Sequence, residues 1–224
     1  MPPTKRSYAY VGQGGRMYTS KPRLAGPYKP VGLSIKKALL KASEQKATAF
    51  AITTQHADTT GEVRLITAPA NGADANMRVG KKCQVNMVEL NLKIVASAVT
   101  AGATPGYQWW LVYDKHPNGA LPALADIIVG TFPSIVLPPA EPRFTVLGNG
   151  YGFLAKPVNY ETGSSAKVIT KKIRCNKQMV FTGDTGAIAS ISEGAIYLVT
   201  SGDTANASPH PTMTGEAAIY FKDV

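Results

Sequence analysis

From residue 47 to the end of the chain, apolar and polar residues alternate in short runs of the kind that forms β-strands. Turn-forming residues separate these runs, as at His116–Gly119 and Thr182–Gly186. A further apolar run at Ala123–Val129 fits a strand or a helix. The pattern predicts strands at Ala47–Gln55, Glu62–Thr67, Cys83–Ser97, Tyr107–Asp114, Arg143–Leu147 with Gly150–Leu154 after a glycine break, Ala166–Phe181, Ala195–Ser201 and Ala217–Lys222.

The run Cys83–Ser97 is long for a single strand, about 50 Å at roughly 3.3 Å per residue. Its alternation changes phase near Met87 and Val88. Since every side chain changes face when the register slips by one residue, this phase change predicts a β-bulge.

No strand–helix alternation follows residue 47, which argues against a parallel α/β fold. Hydrophobic residues make up 44% of the 224 residues and charged residues only 17%, so the chain can bury a large core. The pattern therefore predicts an all-β fold, an antiparallel sandwich or barrel of Greek-key type.

The N-terminal part of the chain has a different pattern. Residues 1–32 contain five prolines and no apolar period, which predicts an extended arm. Apolar residues then recur at helical spacing over 34–46, which predicts a short basic amphipathic helix. Such a helix could lie on nucleic acid, on a membrane surface or on the protein body. The chain thus divides into a basic N-terminal arm, residues 1–46, and a β-domain, residues 47–224.

Charge is distributed very unevenly between these two parts. Residues 1–46 hold ten Lys or Arg and one acidic residue, a net charge of +9. The remaining 178 residues hold 14 basic and 13 acidic side chains, a net charge of +1. A basic arm on a near-neutral domain is typical of a polyanion-binding protein, whereas the simpler alternative is a solvated tail that aids solubility.

The arm supplies candidate contacts of two kinds. Tyrosine rings can stack on unpaired bases, or they can instead pack against the β-domain; these candidates are Tyr8, Tyr10, Tyr18 and Tyr28. Basic side chains can neutralise phosphates without regard to sequence. The predicted nucleic-acid-binding residues are Lys5, Arg6, Arg16, Lys21, Arg23, Lys29, Lys36, Lys37 and Lys41.

The sequence carries no set of residues typical of catalysis. The three histidines lie at no metal-ligand spacing, and no Gly-x-Ser-x-Gly nucleophile motif occurs. We therefore predict no enzymatic activity, no metal and no cofactor. No run of 18 apolar residues occurs, so we expect no membrane as a partner.

Several segments in the β-domain, taken in order, resemble one known family. Lys81–Ala96 (KKCQVNMVELNLKIVA) resembles its first long core strand, and Trp110–Pro122 (WLVYDKHPNGALP) a strand ending in an acidic, basic, Pro-Gly turn. Arg143–Leu154 and Lys167–Phe181 are similar to its aromatic-basic and basic strands. The ending AIYFKD resembles the family's closing strand. The family is the coat proteins of geminiviruses and of related circular single-stranded DNA viruses such as genomoviruses.

The resemblance covers roughly residues 47–224. It implies a single eight-stranded antiparallel jelly roll that self-assembles into an icosahedral or twinned-icosahedral shell of about 60 or more copies. It also implies packaging of circular single-stranded DNA in a virion, and nuclear import through basic residues near the N-terminus by a host import receptor.

Two alternatives stay open from the residues themselves. The first is an RNA-virus or satellite coat protein of the same fold, because Lys and Arg contact the phosphates of RNA as readily as those of DNA. The other is a non-viral β-sandwich binding module, which would not need the arm.

Overall fold

The computed structural model describes residues 45–66, 68–96, 104–130, 132–136, 143–154, 165–205 and 209–224. The proposed binding residues of the arm lie outside these ranges, as does the predicted helix except for its end. Lys46, the last residue of that helix prediction, instead begins the first strand. Its ammonium group lies 3.0 Å from Asp223 Oδ2 and donates to the carbonyl oxygen of Met77, which ties the start of the strand to the sheet.

The described residues form eleven β-strands, one four-residue α-helix, α1 (Leu124–Ile127), and one short 3-10 helix, Ile188–Ser190. The strands are β1 (Lys46–His56), β2 (Glu62–Leu65), β3 (Lys82–Ala96), β4 (Gly106–Asp114), β5 (Ile128–Val129), β6 (Ile135–Val136), β7 (Phe144–Phe153), β8 (Ser165–Phe181), β9 (Ile191–Glu193), β10 (Ala195–Gly202) and β11 (Thr212–Asp223).

Eight of these strands pair in a nested order. Antiparallel pairing joins β1 to β11, β2 to β10, β3 to β8 and β4 to β7, so the first half of the domain pairs with the second as one long hairpin. The hairpin is rolled up because β11 also pairs with β3, and β10 with β4. The result is a jelly roll, which confirms the predicted fold class.

The nested pairing divides the strands between two sheets. Sheet A has the order β1-β11-β3-β8-β9, and sheet B has the order β2-β10-β4-β7. The inner faces of the sheets meet in a core of aliphatic and aromatic side chains, among them Leu90, Leu92, Ile196, Leu198 and Phe221, each with no exposed surface. Burial of these side chains is the main stabilising contribution in a sandwich of this kind.

The bulge predicted near Met87 lies at Asn86. On both sides of β3 the pairing slips between Val85 and Met87. The slip lets Val85 and Val88, three residues apart, both point into the core with no exposed surface. The long run is therefore a single strand of 15 residues with one irregularity.

The described part of the connection between β4 and β7, residues 115–130 and 132–136, forms a third layer over the outer face of sheet B. Trp109 faces the core, so its neighbours Gln108 and Trp110 point outward, yet these are also buried. The Gln108 amide donates to the carbonyl oxygen of Ser134 and accepts from its N–H, both at 3.0 Å. The run predicted as strand or helix, Ala123–Val129, contributes both α1 and β5 to this layer.

Candidate nucleic-acid and subunit-contact surfaces

Strand β8 is the most basic element in the described part of the chain. It carries five basic residues and no acidic residue in 17 positions. They are Lys167, Lys171, Lys172, Arg174 and Lys177. A strand with this composition attracts phosphates or acidic side chains, and its charges repel a second copy of the same strand.

The register of β8 distributes these charges over both faces of sheet A. Lys172 pairs with Glu89 and Arg174 with Met87 on the outer face. The Lys172 ammonium lies 3.4 Å from Glu89 Oε1, and its side chain is 62% exposed. An ion pair that exposed contributes little stability, so Lys172 remains available to a partner.

The other lysines of β8 point toward sheet B. Lys171 pairs with Leu90, whose side chain lies in the core. Lys167 Nζ lies 5.8 Å from the centre of the Tyr107 ring, and Lys177 Nζ lies 5.2 Å from that of Tyr113. These distances are within the range of cation–π contacts, in which the ring face stabilises an ammonium group near the edge of the sandwich.

Each of the two sheets has an open edge, and these two edges lie next to each other. Sheet B ends at β7. Sheet A ends at β9, which pairs only with Val180 and Phe181, so the rest of β8 has no outer neighbour among the described residues. Unpaired strand edges recruit other strands, and lysines are a common protection against that.

Large apolar side chains are exposed on β7, on β8 and in the connection between β4 and β7. Tyr151 is 71% exposed, Val168 70% and Phe153 59%. The third layer adds Ile135, which is 65% exposed, and Val129, which is 46% exposed. Large apolar groups left exposed together are typical of a surface that contacts another protein chain.

Two of the three histidines contact each other, which the sequence did not reveal. His56 Nδ1 lies 2.8 Å from His210 Nε2, although 154 positions separate the two residues. His210 Nε2 also lies 3.8 Å from Asp58 Oδ2. Burial acts to raise the pKa of Asp58, but hydrogen bonds from Thr60 and Gly61 and the nearby histidine lower it overall. Among the described residues, no three His, Cys, Asp or Glu side chains are arranged to hold a metal ion.

The basic strand is a candidate contact that the sequence prediction, confined to the arm, did not include. A signal was present, because residues 165–181 hold five basic residues and no acidic one. The prediction was based on the net charge of large parts of the chain. Acidic residues elsewhere in the domain offset the positive charge of this strand. The arm residues themselves lie outside the described ranges, so their roles stay predictions.

The helices within the described residues are all too short, or too polar, to cross a membrane.

Comparison with known proteins gives one family. Residues 3–224 match the model of the family described as "Geminivirus coat protein/nuclear export factor BR1 family". The capsid protein of Miscanthus streak virus (isolate 91) is 27% identical over 180 residues, which covers 69% of this chain and 70% of that protein.

A solved structure of Desmodium yellow mottle tymovirus is also similar, with 11% identity and a TM-score of 0.30. The match covers 92% of this chain and 95% of that one, but a similarity of this size supports no further conclusion.

Proposed function

Because the chain belongs to the geminivirus coat protein/nuclear export factor BR1 family, we propose that it self-assembles into a closed shell and packages circular single-stranded DNA through its basic arm. The protein is a structural capsid protein and not an enzyme. The shell we propose is icosahedral or twinned icosahedral, with about 60 or more copies.

The observation that carries the packaging role is the division of charge. The arm, residues 1–46, has a net charge of +9 and the remaining residues a net charge of +1. Nine charges on each of about 60 arms would bring roughly 540 positive charges inside a shell, enough for several hundred phosphates. One arm binds weakly, whereas many tethered arms bind the same strand with high avidity.

The observations that support self-assembly lie in the β-domain. Its near-neutral charge lets copies approach closely, since like-charged surfaces would repel. Exposed apolar side chains outside the edge of β8, such as Phe153, Ile135 and Val129, would become buried between subunits.

The proposal of DNA over RNA rests on the family, because the basic arm would contact the phosphates of either. Import into the host nucleus before assembly, through a host receptor that recognises basic residues such as Lys5 and Arg6, is proposed on the same ground. Both points can be tested separately from shell formation.

Size-exclusion chromatography of the full-length protein, with the 260/280 nm absorbance ratio recorded, tests the proposal directly. We expect a large species with a high ratio, and shells in negative-stain microscopy of that peak. Digestion of the contents with DNase and RNase then identifies the nucleic acid.

Two results would count against the proposal in different ways. Shells with a protein-like ratio would contradict the packaging role and leave assembly intact. A species of the size of a single chain at both low and moderate salt, with no shells, would contradict self-assembly.

A further inference from the structure

A cleft of about 340 Å³ opens where the free edges of the two sheets face each other. Three strands supply its walls: Tyr107 and Trp109 from β4, Gly150 and Tyr151 from β7, and Lys167 and Lys171 from β8. Among the described residues, no carboxylate lines the cleft. Its volume lies at the lower end of the range typical of ligand-binding pockets, roughly 300–1,000 Å³.

Two of the lining side chains carry hydrogen-bond donors that lack a partner. The Tyr107 hydroxyl and Trp109 Nε1 are buried and have none among the described residues. Tyr107 has no exposed surface and Trp109 is 1% exposed. Since buried polar groups in folded proteins are nearly always paired, two such donors side by side can pair with an acceptor that a ligand supplies.

The glycines of β7 leave room for these donors against its backbone. A Cβ atom on Gly150 would lie 2.7 Å from Trp109 Nε1, and one on Gly152 would lie 2.7 Å from the Tyr107 hydroxyl. The two donors therefore pack directly against the backbone of β7, which is the edge strand of sheet B.

The donors and charges of the cleft select the chemistry of a ligand. Lys167 and Lys171 add two ammonium groups, so the charged side chains that line the cleft in the described part of the chain are both positive. Such a site favours an anion with many acceptors, and phosphate fits that description. Aromatic rings beside a basic groove also provide stacking surfaces for bases, and Tyr151 is 71% exposed at this site.

We propose that the cleft binds a short stretch of single-stranded nucleic acid, with phosphates at Lys167 and Lys171 and a base against the aromatic lining. The inference rests on the proposed packaging function and adds a contact in the folded domain to those of the arm. Lys167 and Lys171 are four residues apart, about 13 Å along the strand, so they contact different phosphates.

The two tryptophans of the chain allow the cleft to be observed apart from the arm. Trp109 lines the cleft, whereas Trp110 points to the opposite face of sheet B and is 2% exposed. In full-length protein with W110F, Trp109 is the sole tryptophan, and its emission reports on the cleft. Should W110F fold poorly, the emission of both tryptophans in the unmodified protein serves instead.

The experiment titrates the protein with thymidine octanucleotide and with thymidine monophosphate. Trp109 emission reports the cleft, and the anisotropy of a labelled octanucleotide reports binding anywhere on the chain. We expect Trp109 to respond to both probes, and to the octanucleotide at lower concentration. An equal response to the two probes would overturn binding of a strand in favour of a free nucleotide.

A pair of double variants in β8 supplies the matched control. K167Q/K171Q removes two charges from the cleft, and K172Q/R174Q removes two from the outer face of the same strand. We expect the first to weaken the Trp109 response by about tenfold or more, and the second to leave it within about twofold. Equal effects would overturn the assignment to the cleft.

The two readouts separate failure of this inference from failure of the packaging proposal. An increase in anisotropy with unchanged Trp109 emission would leave binding by the arm intact and overturn the cleft. No change in either readout at low salt would overturn both.

Discussion

Asp114 is a buried carboxylate that four donors surround. Arg143 donates from Nε at 2.9 Å and from Nη2 at 2.8 Å, the His116 N–H donates at 3.0 Å, and the Tyr197 hydroxyl donates at 3.2 Å. Burial, together with the neighbouring Asp114 charge, raises the pKa of Tyr197, so that hydroxyl stays protonated and donates. The side chain of Asp114 thus links β4, β10 and the start of β7.

We expect Asp114→Asn to lower the free energy of unfolding by about 3–5 kcal/mol. The amide removes the charge opposite Arg143 and points a donor at groups that are themselves donors. Urea unfolding followed by far-UV circular dichroism measures the change. The matched control is Glu62→Gln, since Glu62 pairs with Arg64 while both side chains are about 30% exposed; we expect a loss of about 1 kcal/mol or less. Equal losses of stability in the two variants would contradict the stabilising role of Asp114.

The two cysteines should differ in reactivity. Burial is the main cause that raises the pKa of Cys83 to about 12, so at pH 8 about one thiol in 10,000 is ionised. Burial also raises the pKa of Cys175, whose side chain is only partly buried. We expect iodoacetamide to label Cys175 faster than Cys83 in the native protein, with both rates increasing as the pH rises. Mass spectrometry of the labelled peptides measures the rates, and the urea-unfolded chain is the control. Faster labelling of Cys83 would contradict its burial.

At the scale of single elements, the sequence predicted β1 and β3 well because buried and more exposed positions alternate along each of them. The break predicted at Gly148–Gly150 was wrong, since β7 runs through it with one slip in register. Glycines weaken strand prediction because they have no side chain to bury. Here the side chains of Trp109, Tyr107 and Ile173 fill the space in front of them, and a sequence pattern does not contain that information.

The third layer was also absent from the sequence prediction, although a signal existed. All nine residues of β4 and all eight of β10 are buried, and their sequences, GYQWWLVYD and AIYLVTSG, lack the alternation of a strand with one exposed face. An uninterrupted apolar strand is typical of a sheet covered on both sides. What covers it could not be predicted, because the covering segment includes only short elements.

Gln108 joins this layer to sheet B through its two hydrogen bonds with Ser134, so its removal should loosen the layer. We expect Gln108→Ala to lower the free energy of unfolding by about 1–3 kcal/mol, because the buried N–H and C=O of Ser134 lose their partners. We also expect faster proteolytic cleavage within residues 115–143, measured by mass spectrometry of the fragments. The control is Gln178→Ala on the exposed face of β8, which should change stability by about 0.5 kcal/mol or less. Cleavage elsewhere first would contradict the role of Gln108.

At the scale of the whole molecule, arm and domain should separate experimentally into packaging and folding. Removing residues 2–32 takes away Lys5, Arg6, Arg16, Lys21, Arg23 and Lys29. We expect a lower 260/280 nm ratio of the shells and little change in the unfolding midpoint. If six phosphate contacts disappear, the slope of the logarithm of the nucleic-acid association constant against the logarithm of the salt concentration should fall in magnitude by about 4.

A full-length variant with those six residues changed to glutamine is the matched control, because it keeps the length of the arm. It should reproduce the loss of nucleic acid if charge is the cause. Unfolding of the truncated protein would show that the arm supports the domain, which the proposed division does not allow.

The nested pairing has a consequence for how the polypeptide folds during synthesis. In sheet A, the neighbour of β1 is β11, so β1 has no partner until β11 leaves the ribosome, whereas β3 can pair earlier with β8. At about 5–20 residues per second, the translation machinery needs roughly 10–35 s to travel from β1 to the end of β11. During that interval β1 is an unpaired strand attached to a cationic tail. The domain must therefore complete its folding after β11 has been synthesised, at a rate limited by contacts between distant parts of the chain.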